Sequence, residues 1–260
     1  MPTHKKSIIM IHGFRGTHNG LSLIARELED KYDVFVPDIP GFGKGERLEH
    51  YSLDEYVLWL DRFIGKLNLS QPPVLLGHSF GSIISAAYAA RFANKIDRLV
   101  LVNPIGAPAL EGPRWFLTQM AVLYYEIGSF LPEKLARKWL SLNIVVNLMS
   151  ISMAKTKQKS LRKYIHHQHR KYFSRFHDSH AVLSSFKTSI NFSVKNFAEE
   201  ISTPTLLIAG DLDDITPLNK QKDLHKQFKN AKLEVIKGVG HLTHYEKPVE
   251  TANIIDKWLS

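Results

Sequence analysis

Val74-Leu75-Leu76-Gly77-His78-Ser79-Phe80-Gly81 is the stretch on which the fold is read: an apolar run enters a G-x-S-x-G pentapeptide, and a helical stretch of small residues leaves it from Ser82 to Arg91. A strand that ends at Leu76 must turn into a helix within a few residues. Ser79 is therefore expected in a strained backbone conformation, with its Oγ exposed above the sheet edge. Gly77 and Gly81 lack a Cβ, so strand and helix can approach closely. The N-terminus of the helix points backbone N–H groups, including that of Phe80, at any anion forming beside Ser79.

Outward from this turn, three more apolar runs end in polar residues. Ile8-Ile9-Met10-Ile11 reads as a buried strand and runs into His12-Gly13-Phe14-Arg15-Gly16. Thr205-Leu206-Leu207-Ile208-Ala209 precedes Gly210-Asp211-Leu212-Asp213-Asp214-Ile215-Thr216-Pro217. Leu233-Glu234-Val235-Ile236 leads through a Gly-rich loop to Gly240-His241. Serine, aspartate and histidine thus follow strands in the order that α/β-hydrolases use among serine-hydrolase folds. The chain resembles a lid-bearing α/β-hydrolase over nearly its whole length, with the G-x-S-x-G turn as its nucleophile elbow.

What the resemblance implies can be carried onto these positions. The family's acid usually lies three residues after the glycine and four before the proline, which fits Asp213 between Gly210 and Pro217; Asp211 and Asp214 are its competitors. His241 is implied as the base, with His244 a surface or packing residue beside it. His78 and His12 are more often structural at their places in the motif. An oxyanion hole would use the backbone N–H groups of Phe80 and Phe14. Gly13, His78, Trp115, Met120 and Tyr124 are candidates for lining a substrate pocket, although helical core packing explains the last three equally well. The implied activity is cleavage of a carboxylic ester with a hydrophobic acyl or aromatic group, through an acyl-enzyme on Ser79. A carbon–carbon bond hydrolase of the ring-cleavage-product type is the alternative enzyme. A non-catalytic ligand-binding or membrane-surface protein is the alternative of another class. A serine nucleophile disfavours haloalkane dehalogenases and epoxide hydrolases, which carry an aspartate there. No cofactor or metal is expected.

Strands alternate with helices along both ends of the chain, which calls for a mainly parallel sheet with helices on both faces, the α/β class. Strands are expected over 7–12, 34–37 and 98–103, and helices over 20–30 and from Leu53, where Ser52 and Glu55 form a capping-box signature. Too few residues precede the first strand for the two N-terminal strands common in the family, so about six strands are expected. The alternation stops between Asn103 and Pro204, too long a span for a structureless loop. The core is read as 1–103 and 204–260, with a helical lid over 104–203.

At 260 residues with 44% apolar composition, the chain can bury one such domain. It contains no cysteine, which excludes disulfides and thiolate metal sites. The residues ahead of the first strand show no signal-peptide apolar region, so a cytoplasmic location is expected. The charge is uneven: residues 112–195 hold 14 Lys and Arg against 3 Asp and Glu, so essentially all of the net +9 resides in the lid. The His166-His167-Gln168-His169-Arg170-Lys171 run lacks metal-site spacing and is read as surface. The expected partner is a small-molecule ester or acyl substrate. For the basic lid, solvated surface, an anionic membrane surface and an anionic soluble substrate remain open. No nucleic-acid-binding module accompanies the charge.

Overall fold

The computed structural model describes residues 5–107 and 115–260, and of residues 115–118 the backbone alone. Six strands, β1 (Ser7–Ile11), β2 (Asp33–Phe35), β3 (Val74–His78), β4 (Arg98–Val102), β5 (Thr205–Gly210) and β6 (Ala231–Ile236), form one parallel sheet in the order β2-β1-β3-β4-β5-β6. The central strands are apolar at successive positions because both faces are covered. Side chains alternate across a strand. Accordingly Ile9, Ile11, Leu75, Leu99, Leu101 and Leu207 enter one core, and Ile8, Met10, Leu76, Val100, Leu206 and Ile208 another.

Helix α1 (Ser22–Leu28) packs on the second core, and α2 (Leu53–Lys66) and α3 (Phe80–Arg91) on the first. The Ser52 hydroxyl accepts the Glu55 N–H at 3.3 Å and caps α2, which buries Leu53, Tyr56, Val57, Leu60 and Ile64 on one face. The second strand stops at Phe35, short of the expected 34–37, because Pro37 has no N–H to offer the ladder.

Among the described residues, five α-helices lie between β4 and β5: α4 (Trp115–Phe130), α5 (Glu133–Leu140), α6 (Asn143–Met153), α7 (Lys159–Tyr172) and α8 (Ser179–Asn191). Helix α4 packs on α5 and α8, while α6 packs on α7. The chain closes with α9 (Leu218–His225), α10 (Thr243–Glu246) and α11 (Pro248–Leu259), the last on the second core beside α1. Among the described residues, no helix is long and apolar enough to cross a membrane.

Strand order steps one way from β1 to β2 and the other way from β3 onward. The crevice beyond the carboxyl ends of β1 and β3 is therefore the topological switch point, where open α/β sheets hold ligands. Close approach there depends on Gly81: a Cβ on it would stand 2.2 Å from the Ile11 carbonyl oxygen, an atom of backbone that cannot swing aside. Gly81→Ala is expected to lower the unfolding free energy by about 1–3 kcal/mol, the usual cost of overpacking. Urea denaturation of the two proteins measures it, and equal midpoints would contradict the tight contact.

Candidate active site

Ser79 joins β3 to α3 with φ 53° and ψ −120°, a conformation that a non-glycine residue adopts only when its surroundings impose it. Its N–H donates to the Val102 carbonyl at 3.2 Å and its carbonyl accepts from Ser82 N–H at 2.8 Å, so both neighbours hold the turn. His241 Nδ1 donates to Asp213 Oδ2 at 2.8 Å, which leaves Nε2 as the acceptor of the Ser79 hydroxyl, also at 2.8 Å. The three side chains come from the ends of three different strands and meet in the switch-point crevice.

Asp213 is buried and fully engaged. Oδ1 accepts the N–H groups of Ile215 (2.8 Å) and Thr216 (2.9 Å), while Oδ2 accepts from the Thr216 hydroxyl (2.5 Å) and Asn103 Nδ2 (2.8 Å) besides His241. Burial pushes its carboxyl pKa up, but the adjacent His241 and the hydrogen bonds from His241 and Thr216 outweigh it and hold the group below the usual carboxylate range. The two neighbouring aspartates are engaged elsewhere. Asp211 accepts from Gly238 N–H at 2.7 Å, and Asp214 pairs with Lys155.

The loop after β1 lies against Ser79: a Cβ on Gly13 would stand 3.2 Å from the Ser79 Cβ. His12 shapes this loop. Its Nε2 accepts Ile39 N–H at 3.0 Å, so Nδ1 carries the proton and donates to Gly13 O at 2.9 Å. The Phe14 ring makes edge contacts with Phe42, Phe80 and Tyr125 at centroid distances of 5.8–6.3 Å, which fixes the backbone on either side of it. His78 is pushed down to a pKa of about 3 by burial and the adjacent His241 ring; neutral, it donates from Nε2 to the His241 carbonyl at 3.2 Å. It thus braces the backbone of the histidine that meets Ser79. His244 packs edge-on to His78 at 4.2 Å between centroids and is buried, a packing residue rather than a surface one.

Three residues to which the sequence reading gave no role hold the site to its surroundings. Asn103, at the end of β4 with φ 45°, donates to Asp213 and to Gly240 O (3.3 Å) and accepts the Thr243 hydroxyl (2.5 Å), joining the aspartate and histidine loops. Glu246 accepts the N–H groups of Lys155 and Thr156 at 2.7 Å and that of Gly240 at 3.2 Å, tying the α6–α7 connection to the His241 loop. Arg15 is 1% exposed, and its guanidinium donates to the carbonyls of Phe173 (3.1 Å) and Leu140 (2.5 Å) and to the Tyr125 hydroxyl (3.3 Å). Phe173 and Leu140 close the C-terminal ends of α7 and α5, the negative ends of helix dipoles, which offsets the burial of this cation. Arg15→Met is expected to cost about 1–3 kcal/mol by leaving buried carbonyls without donors. Thermal denaturation tests this, and an unchanged unfolding midpoint would count against it.

A cavity of about 200 Å³ opens above Ser79, lined by Gly13, Phe14, His78 and His241 from the strand ends and by Met149, Met153, His169, Tyr172 and Phe173 from α6, α7 and the residue after it. Gly13 and His78 are thus at the cavity. Met120 is 53% exposed and outside the cavity lining, and Tyr124 faces Trp139, to whose carbonyl its hydroxyl donates at 2.9 Å. The Trp115 side chain lies outside the described residues. The histidine run is not all surface, contrary to the expectation: His166 and His169 both place Nδ1 on the Ser150 hydroxyl, at 2.6 and 2.7 Å. Ser150 is a buried polar group on the α6 face that meets α7, and it draws both rings into the seam. Burial and the neighbouring His166 push His169 down to a pKa of about 4.

Comparison with known proteins agrees with this architecture. A family model described as alpha/beta hydrolase fold matches residues 6–248. The chain is similar to human monoacylglycerol lipase ABHD6, with 25% identity over 267 residues that cover 100% of this chain and 77% of the relative. Among solved structures, an esterase from Exiguobacterium antarcticum superposes with a TM-score of 0.80 at 18% identity, over 98% of this chain and 92% of the other. The enol-lactonase from Burkholderia xenovorans LB400 superposes with a TM-score of 0.83 at 15% identity, over 99% and 92%. At these identities the two structures share the fold.

Proposed function

Because the chain belongs to the alpha/beta hydrolase fold family, and its relatives include a monoacylglycerol lipase, we propose that it is a serine hydrolase that cleaves carboxylic esters bearing a hydrophobic acyl or aromatic group. The observation that carries this reading is the continuous hydrogen-bonded line from Ser79 Oγ through His241 to Asp213, set beneath a largely apolar cavity.

In the reaction, Ser79 Oγ attacks the ester carbonyl as its proton passes to His241 Nε2. The imidazolium so formed is stabilised by the Asp213 carboxylate, which also fixes the Nδ1–H tautomer. The developing oxyanion is bound by the N–H of Phe80, at the start of α3, and that of Phe14. His241 returns the proton to the leaving alcohol as the carbonyl–oxygen bond breaks and an acyl-Ser79 remains. Water then attacks the acyl carbonyl with His241 as base, which frees the acid and restores Ser79. Helices α6 and α7 act as the lid: Met149, Met153 and Tyr172 wall off the acyl group and limit water. A cavity of about 200 Å³ is smaller than the ~300–1,000 Å³ of drug-sized pockets, which favours short acyl chains or a single ring.

Turnover of p-nitrophenyl esters from acetate to dodecanoate tests the proposal, with activity expected to peak at short to medium chains. Consumption of ring-cleavage dienones without ester turnover would move the assignment to carbon–carbon hydrolysis. Tight ligand association without any turnover would make the protein a binding one.

A further inference from the structure

Helix α6 is apolar on two opposite sides. Met149 and Met153 face the cavity, while Ile144, Leu148 and Ile151 are 67%, 62% and 61% exposed, at the i, i+4, i+7 spacing of a single helix face. No charged residue occurs between Trp139 and Ala154, so α6 itself places no charge on that outer face. Large side chains exposed together in this way mark an interaction surface.

The neighbouring helix supplies the charge. Helix α7 carries Lys159, Arg162, Lys163, Arg170 and Lys171 and no acidic residue. Arg162 and Arg170 lie one turn to either side of His166, whose ring meets Ser150 of α6, and Arg170 Nη1 reaches Asn147 Oδ1 at 3.5 Å. A cationic edge therefore borders the apolar face along the α6–α7 seam.

We propose that this surface docks on an anionic lipid bilayer, with Ile144, Leu148 and Ile151 at the boundary of headgroup and acyl chain, and Arg162 and Arg170 on lipid phosphates. A second copy of the chain is a poorer occupant. A two-fold contact through this face would bring the like charges of two α7 helices together. Docking places the cavity one helix diameter, about 10 Å, from the bilayer, so an ester could pass from lipid to Ser79 with little exposure to water. The surface goes beyond the proposed chemistry and does not depend on it, since none of its residues touches Ser79, Asp213 or His241.

Sedimentation of the full chain with phosphatidylglycerol–phosphatidylcholine vesicles and with pure phosphatidylcholine vesicles tests the proposal. Wild type and Ser79→Ala should bind the anionic vesicles equally, and release as salt rises. Combined Ile144→Ser, Leu148→Ser and Ile151→Ser should weaken binding roughly tenfold, and so should combined Arg162→Glu and Arg170→Glu. Both variants should keep the turnover of a soluble short ester and the thermal midpoint of wild type; the exposed arginine pair keeps the test valid if the triple variant unfolds. Equal binding to neutral vesicles, no vesicle binding by folded wild type, or full binding by the arginine variant would overturn it. So would a wild-type dimer in light scattering that the triple variant dissolves. A wild type that binds vesicles but hydrolyses no ester would refute the catalytic reading alone.

Discussion

Ser79→Ala is expected to reduce kcat for a short-chain ester by about a millionfold, the scale seen when the nucleophile of a serine triad is removed. The substitution deletes one oxygen and keeps the Cβ, so the backbone turn at φ 53° is unaltered. The hydrogen bonds that hold the turn, from Ser79 N–H to Val102 and from Ser82 N–H to Ser79, use backbone atoms alone and persist. Stability should therefore change little while turnover disappears. Steady-state hydrolysis and urea unfolding of the same preparations give both numbers. A variant that retained turnover within tenfold of wild type would remove Ser79 from the mechanism.

Asp213→Asn should lower kcat by about ten-thousandfold, because an amide at 213 no longer enforces the Nδ1–H tautomer of His241 or balances its positive charge. The same substitution should change the response to acid. In the folded protein, the Asp213 carboxyl is raised by burial and lowered more strongly by His241 and Thr216, with a net pKa below that of an ordinary carboxylate. A group with a depressed folded pKa contributes stability that is fully present above its unfolded value, about 3.9, and is lost as pH falls toward the folded value. Wild type should thus lose stability relative to Asp213→Asn as pH drops from about 4 towards 2. Urea midpoints across that range measure the difference. Parallel profiles down to pH 2 would mean that the carboxylate is not held as the structure places it.

How much of this could be read in the sequence follows from the distance between partners along the chain. The strand-to-helix turn at Ser79 is local: its apolar entry, two glycines and helical exit lie within about ten residues, and the structure has β3 and α3 there. The six-stranded parallel sheet follows from the same alternation. Arg15 bonds to Phe173, 158 residues away, and Glu246 to Lys155, 91 residues away. Nothing near either residue in sequence signals the pairing. A buried arginine whose partners are helix carbonyls has no acidic residue to betray it. Asn103 offered a slight signal, a polar side chain directly after an apolar strand, where asparagine tolerates the left-handed conformation it adopts. Tyr124 and Met120 share the apolar texture of α4, and that texture is identical whether a side chain meets a cavity, a neighbouring helix or solvent. His166 and His169 show the reverse error: a polar run looked solvated because the buried Ser150 that gathers both rings lies on another helix.

The most direct test of an activated serine at position 79 is intact-mass spectrometry after exposure to a fluorophosphonate. A single phosphonyl adduct is expected on wild type and none on Ser79→Ala or His241→Ala, each folded. Folded wild type that takes up no label, or an adduct that persists in Ser79→Ala, would contradict it.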